Sequence, residues 1–183
     1  VNAMTVEDPV EYEIEDVTQT EVDGRGGKVS FASSLRSILR HDPDVIMLGE
    51  IRDKETAELA VRAALTGHLV LSTLHTNTAA GAVTRLLDLG VDRFLIASVL
   101  RLVAAQRLVR RLCPQCSIES KITEEEARLL RRPELIGKSC RRPGACLHCA
   151  GLGYMGRMGV FELLPIGAAE SDAIGKTTES SSI

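Results

Sequence analysis

Tryptophan is missing from this 183-residue chain and aromatics make up 3% of it, so its core has to be aliphatic. No run of apolar residues is long enough to span a bilayer. The opening Val1-Asn2-Ala3-Met4-Thr5 has neither the basic start nor the apolar centre of a secretory signal. These absences predict a cytosolic protein. A phosphate-binding loop is also lacking. It needs Gly-x4-Gly-Lys-Ser/Thr, because the backbone curls round the phosphates while the lysine reaches them. Gly27-Lys28 is followed by Val29, while Gly137-Lys138-Ser139 and Gly175-Lys176-Thr177 have Arg132 and Glu170 where the first glycine belongs.

What is present is 44% hydrophobic and 26% charged, enough for one ordinary core and a small appendage. The five cysteines are an odd number, and four form two Cys-x2-Cys pairs, which suits a reduced compartment and a metal better than a disulfide framework. Charge is uneven. From Arg107 to Arg157 eleven Lys/Arg face five Asp/Glu, a net of +6, and the rest of the chain has eleven against twenty, a net of −9. A basic module beside an acidic one marks either an interaction surface or a solvated face around a thiolate centre.

Periodicity orders the elements. Ala3 to Val6 reads as a strand running into Glu7-Asp8-Pro9, and residues Glu13 to Lys28 as loop or edge hairpin. A helix over Ser30 to Arg40 carries Leu35, Ile38 and Leu39 on one face and stops before Pro43. Val45 to Leu48 is a buried strand, Lys54 to Thr66 a helix capped by Asp53, and His68 to Leu74 another buried strand. A helix to Gly90 and a longer one from Asp92 to about Arg111 follow, and this alternation predicts an α/β fold with a parallel sheet. Beyond Cys113 one helix is expected, opened by the capping box Thr123 to Glu126, with loop elsewhere. The predicted organisation is 1–112 as an α/β core, 113–165 as a metal-binding subdomain returning to that core, and 166–183 as a disordered tail.

The candidate functional residues gather at three strand ends: Glu7 with Asp8, Glu50 with Arg52, and His75 with Thr76 and Asn77. In a parallel sheet those ends lie on one edge, where open α/β folds bind ligands. Carboxylates, an imidazole and a guanidinium there can position water and steady phosphate charge. Taken singly, Glu7 and Asp8 read as turn acids, His75 as a surface histidine and Asn77 as a helix cap. It is their coincidence that points to nucleotide hydrolysis.

The runs Thr5 to Tyr12, Leu35 to Arg40, Ile46 to Asp53 and Thr66 to Asn77 closely resemble, in order, the aspartate box, a helical Leu-Arg segment, the Walker B strand and the histidine box of the secretion ATPases. The resemblance spans about residues 3 to 165. It implies a partial RecA-like sheet in which Glu7 organises metal and water, Glu50 is the catalytic acid and His75 senses the phosphate end. Asp8, Arg52, His68 and Thr73 are implied neighbours of the nucleotide and Mg²⁺ site. The family's phosphate loop precedes the aspartate box, so the chain looks like the C-terminal half of an ATPase. By itself it is expected not to turn over ATP.

Cys113, Cys116, Cys146 and Cys149 supply four thiolates in two knuckles, the pattern of a tetrahedral structural zinc. Cys140 is the spare, redox chemistry and disulfides are the alternatives, and His148 sits inside a knuckle as a surface residue. The tetracysteine, with the Gly-rich run from Gly151 to Leu163, is similar to the type II secretion and type IV pilus assembly ATPases. That similarity implies a homo-hexamer using ATP and Mg²⁺, working at the cytoplasmic face of the inner membrane with secretion or pilus platform proteins. It leaves secretion and pilus assembly unseparated. Two other classes explain less. A zinc-ribbon nucleic-acid binder accounts for the basic segment but not for the polar strand ends, and base stacking wants aromatics the segment lacks, so no nucleic acid is expected. A purely structural docking module is the other.

Overall fold

A computed structural model describes residues 1–22 and 29–176. Residues 23–28, part of the expected loop or hairpin, and 177–183 lie outside the described residues. The chain divides into two compact units, Val1–Ala105 with the residues from Glu162 onward, and Gln106–Phe161.

The first unit is built on four parallel strands. They are β1 (Ala3–Glu7), β2 (Val17–Glu21), β3 (Val45–Leu48) and β4 (Leu69–Ser72), in the order β2-β1-β3-β4. Helices α1 (Phe31–Ile38) and α2 (Lys54–Leu65) form the crossovers. Ser30 opens α1 through a reciprocal capping box with Ser33, and the Asp53 carboxylate opens α2 by accepting the Thr56 N–H at 2.9 Å. Strand side chains alternate between faces. Met4, Val6, Ile46 and Leu48 therefore point together into the core, where Leu35, Ile38, Ala57, Ala60 and Val61 are buried with them. On the opposite face Leu69 and Leu71 of β4 are 55% and 50% exposed. That is unusual for a parallel sheet, whose two faces are ordinarily covered.

The segment Glu13 to Lys28 holds strand β2, a parallel neighbour of β1 rather than a hairpin arm. Helix α3 (Ala79–Asp88) buries Val83 and Leu86 in the same core. Helix α4 (Arg93–Val99) is far shorter than the predicted helix to Arg111. Leu100 takes an extended backbone, φ −66° and ψ 130°, and the chain continues as strand β5 (Leu102–Leu112). Leu, Ala, Gln and Arg all favour helix in isolation, but here long-range pairing wins over local propensity.

The second unit contains β6 (Ile118–Lys121), α5 (Glu124–Leu129) and β7 (Ser139–Arg142). Strands β6 and β7 form an antiparallel pair in which Cys140 lies opposite Ser120. The expected capping box is present: Thr123 and Glu126 satisfy each other's backbone donors. Where loop was expected up to Pro165, strand β8 (Tyr154–Pro165) pairs with β5, and the division between the units falls within both strands. The Arg110 guanidinium stacks 3.9 Å above the Tyr154 ring across this ribbon. The predicted tail is corrected over residues 168–176. Helix α6 (Ala168–Lys176) packs on α4 with Ile174 buried, because one well-placed apolar residue finds a surface that composition does not reveal.

Candidate functional site

The register brings the polar strand ends side by side. Val6 pairs with Leu48, so Glu7 at the end of β1 lies beside the turn that carries Glu50, and the Gly49 N–H donates to the Val6 carbonyl at 2.7 Å. From β4, the Thr73 hydroxyl donates to the Gly49 carbonyl at 2.6 Å and the Ile51 N–H to the Thr73 carbonyl at 3.1 Å. These bonds tie the third strand end to the second.

Glu50 is buried yet has two hydrogen-bond partners, a guanidinium and an imidazole. Arg52 reaches its Oε1 at 2.5 Å, and the His75 Nε2–H donates to its Oε2 at 2.9 Å. The carboxylate can only accept, which fixes the imidazole proton on Nε2. Burial works to raise the Glu50 pKa, but the hydrogen bonds and charges of Arg52 and His75 outweigh it and hold the carboxyl below its ordinary value. Glu7, also buried, accepts from Thr5 Oγ1 and Gln19 Nε2. Asp8 is exposed at the start of the following turn, with a cis bond to Pro9. Two carboxylates on adjacent strand ends offer the hard oxygen donors that suit Mg²⁺.

His68 stands apart from this edge. It precedes β4, so five residues of extended chain, roughly 16 Å, separate it from Thr73. Its Nδ1 bonds the Ala63 carbonyl at 2.9 Å and the Thr66 hydroxyl at 3.1 Å, closing the C-terminus of α2. A parallel strand has two ends, and the histidine-box run covers both. The pattern of Thr66 to Asn77 reads alike at its two ends, but only the His75 end reaches the sheet's carboxyl edge.

The geometry adds residues that sequence reasoning missed. Thr5, inside the aspartate-box run, and Gln19 hold Glu7; Gln19 carries no motif signal because the sequence pattern shows no strand at β2. Glu162 of β8 accepts the Ala79 N–H at 3.0 Å and so anchors the first turn of α3, next to the loop that carries His75. It was visible only as part of the Gly-rich run.

In the second unit the sulfurs of Cys113, Cys116, Cys146 and Cys149 all lie within 4.8 Å of one another. The Cys113–Cys146, Cys116–Cys149 and Cys146–Cys149 separations are 3.9, 3.7 and 3.7 Å. These are far beyond a disulfide bond and match the edge of a tetrahedron with Zn–S bonds of about 2.3 Å, which is ~3.8 Å. The donor set therefore fits a tetrahedral metal ion. Gly153 donates its N–H to Cys149 Sγ at 3.2 Å from a left-handed backbone, φ +74°. A Cβ on Gly144 would lie 2.0 Å from the Cys116 carbonyl oxygen, so the knuckles close only around these two glycines. Burial opposes ionisation of Cys149, but its hydrogen bonds to the backbone of Cys146 and Gly153 lower it to about 6. Burial and the surrounding thiols push Cys116 up to about 12. A cation bound by the four sulfurs would hold them as thiolates together, their protons passing to solvent. Cys140 is not among the four.

The parallel sheet with this polar carboxyl edge defines a RecA-like α/β domain, and the same chain carries a separate unit whose four clustered cysteines could hold a metal ion. The sequence profile described as "Type II/IV secretion system protein" matches residues 1–183, and the chain belongs to that family. It is 54% identical over 174 residues to type II secretion system protein E of Aeromonas hydrophila, covering 94% of this chain and 34% of that protein. Type II secretion system ATPase E of Vibrio cholerae serotype O1 is 51% identical over 173 residues, 94% of this chain and 34% of that protein. The type IV pilus assembly ATPase PilB of Thermus thermophilus is 50% identical over 167 residues, 90% of this chain and 19% of that protein. The chain thus spans about a third of the length of these type II relatives. Among solved structures, the ADP-bound pilus retraction motor PilT superposes with a TM-score of 0.65 at 34% identity, over 96% of this chain and 41% of that one.

Proposed function

We propose that this chain is the C-terminal part of a hexameric traffic ATPase that hydrolyses ATP to power pseudopilus assembly in type II secretion. Glu50 carries the reading: a buried, ionised carboxylate at the end of a central strand, oriented by Arg52 and His75, is suited to hold a nucleophilic water against a phosphoryl group. In the complete protein Glu50 would be the catalytic carboxylate that orients the water, Glu7 would help hold Mg²⁺ and its water, and His75 would polarise the phosphate end. Mg²⁺ supplies neutralisation of the phosphate charge. Asp8, Arg52 and Thr73 line the same edge.

The tetracysteine cluster is read as a structural Zn²⁺ site, supported by the sulfur separations and the thiol-only donor set. Exposed Leu69 and Leu71 on the open face of the sheet support a chain that works as part of a larger protein. Among the described residues no helix is long and apolar enough to cross a membrane. The proposed location is the cytoplasmic face of the inner membrane, reached through platform proteins. Type IV pilus assembly is the second reading, favoured by the 50% identity to a pilus assembly ATPase.

The test is ATP turnover. The complete protein should hydrolyse Mg-ATP, and Glu50→Gln should retain nucleotide while losing roughly 10²–10⁴-fold in kcat. The 183-residue chain alone should show no turnover, because without a phosphate loop nothing positions the triphosphate. Mg-dependent turnover by this chain that Glu50→Gln abolishes would overturn the inactivity of the fragment. Loss of ATP binding in the complete Glu50→Gln protein would make Glu50 a binding residue.

A further inference from the structure

Glu7 is held by two donors on one oxygen. Thr5 Oγ1 donates to Glu7 Oε1 at 2.5 Å, and Gln19 Nε2 donates to the same atom at 2.8 Å. The parallel register makes this meeting possible. Thr5 lies opposite Gln19 and Glu7 opposite Glu21, so by strand alternation Thr5, Glu7 and Gln19 share one face.

The Gln19 amide is used at both of its ends. Nε2 also donates to the Tyr12 carbonyl at 3.0 Å, while Oε1 accepts the Ile14 N–H at 2.7 Å. A carboxylate and a carbonyl can only accept and an N–H can only donate, so turning the amide over would break all three bonds. Gln19 therefore has one orientation, and it joins two backbone positions of the 8–16 turn to the Glu7 carboxylate.

We infer that Gln19 is the positioning residue of Glu7: its amide makes the 8–16 turn and the Glu7 carboxylate one hydrogen-bonded unit, so the conformation of that turn sets the direction of the carboxylate. With Oε1 engaged by Thr5 and Gln19, the second oxygen is the one that serves a cation or its bound water. The catalytic consequence rests on the role proposed for Glu7, whereas the coupling rests on the hydrogen bonds alone. A displacement of that turn moves the carboxylate with it, and a misplacement of about 1 Å costs on the order of 10²-fold in rate.

Two measurements test this separately. In the 183-residue chain, Gln19→Met keeps the length and removes the polar atoms. Gln19 is half-buried on an edge strand, so the core should persist, and unchanged amide exchange at Ile46 and Leu48 checks that it does. The Ile14 amide should exchange about tenfold faster. Unchanged Ile14 exchange overturns the coupling.

In the complete protein, Gln19→Met should lower kcat by roughly tenfold or more with the ATP KM unchanged, and should have no further effect in a Glu7→Gln background. Gln19→Glu keeps an acceptor for Ile14 but loses both donors, so it should keep Ile14 protected while kcat still falls. An unchanged kcat in either variant, or an equal fall in the Glu7→Gln background, removes Glu7 positioning as its role. A complete wild-type protein that does not hydrolyse ATP defeats the proposed function instead, and Ile14 exchange then still decides the coupling.

Discussion

His75 Nε2 lies 2.9 Å from Glu50 Oε2, joining the loop after β4 to the end of β3. Arg52 holds the other oxygen of the same carboxylate. The imidazole is 80% exposed and the Arg52 side chain 61%, so solvent weakens both partners but screens the imidazole more. Both hold the Glu50 pKa below its ordinary value against the opposing effect of burial. Replacing either should raise it, and Arg52→Gln should raise it more than His75→Ala. Ionised Glu50 stabilises the fold above the ordinary carboxylate range, and that contribution is lost as pH falls through its lowered pKa. Carbon-13 titration of the Glu50 carboxyl in both variants checks the order; a larger rise in His75→Ala would refute it.

The metal prediction concerns the second unit. Elemental analysis should find one zinc per chain, and the cobalt-substituted protein should show the visible spectrum of a tetrahedral thiolate site. Cys116→Ser or Cys146→Ser should abolish tight binding and loosen residues 113–149, since structural zinc is worth on the order of 10–16 kcal/mol to small domains. Cys140→Ser should leave both unchanged. Retention of metal by Cys146→Ser with its loss in Cys140→Ser would transfer the fourth ligand to Cys140.

Acid should act late on the helix α5 cap. Hydrogen bonds from Arg142 and from Thr123 lower Glu126 to about 2 from an ordinary 4.5. The lowered value means that the ionised carboxylate contributes stability above about pH 4.5, a contribution lost between there and about 2. Arg142→Gln should move the Glu126 titration upward and make α5 fray at a higher pH. Amide exchange at Glu126 followed from pH 5 downward measures this, and an unmoved titration would deny Arg142 its part.

Glu162 should matter to α3 although it lies 83 residues from Ala79 in sequence. Its carboxylate accepts an otherwise unpartnered first-turn N–H and complements the helix dipole, together worth about 1 kcal/mol. Glu162→Ala should lower stability by that amount and speed exchange at Ala79, and Glu162→Gln should restore most of the loss. Denaturant unfolding of the three proteins gives the comparison.

The parallel core was legible because short apolar runs ended in punctuation. Val45 to Leu48 before Gly49, and Leu69 to Ser72 between Gly67 and His75, leave little choice but buried strands. Asp53 and Thr123 announced their helices through side chains of the right length at the right offset. The two Cys-x2-Cys pairs named the four cysteines that cluster, since few other arrangements need four thiols so spaced. Glu7, Glu50 and His75 stood out as polar residues at the ends of apolar runs.

What periodicity misjudged was decided by contacts distant in sequence. Leu102 to Leu112 has helix-forming residues, yet its partner is β8, more than 40 positions away, and no local pattern encodes that pairing. His68 and His75 sit in one motif, but strand direction sends them to opposite ends of the sheet. Gln19 carries no sequence signal at all. It reaches Glu7 because parallel pairing sets β2 beside β1 in a register that puts Gln19 opposite Thr5. Local chemistry, read from the order of residue types, determined the central strands, the capped helices and the four cysteines that cluster. Only the tertiary structure decided which side chains meet, because hydrogen bonds act over about 3 Å in space and take no account of separation along the chain.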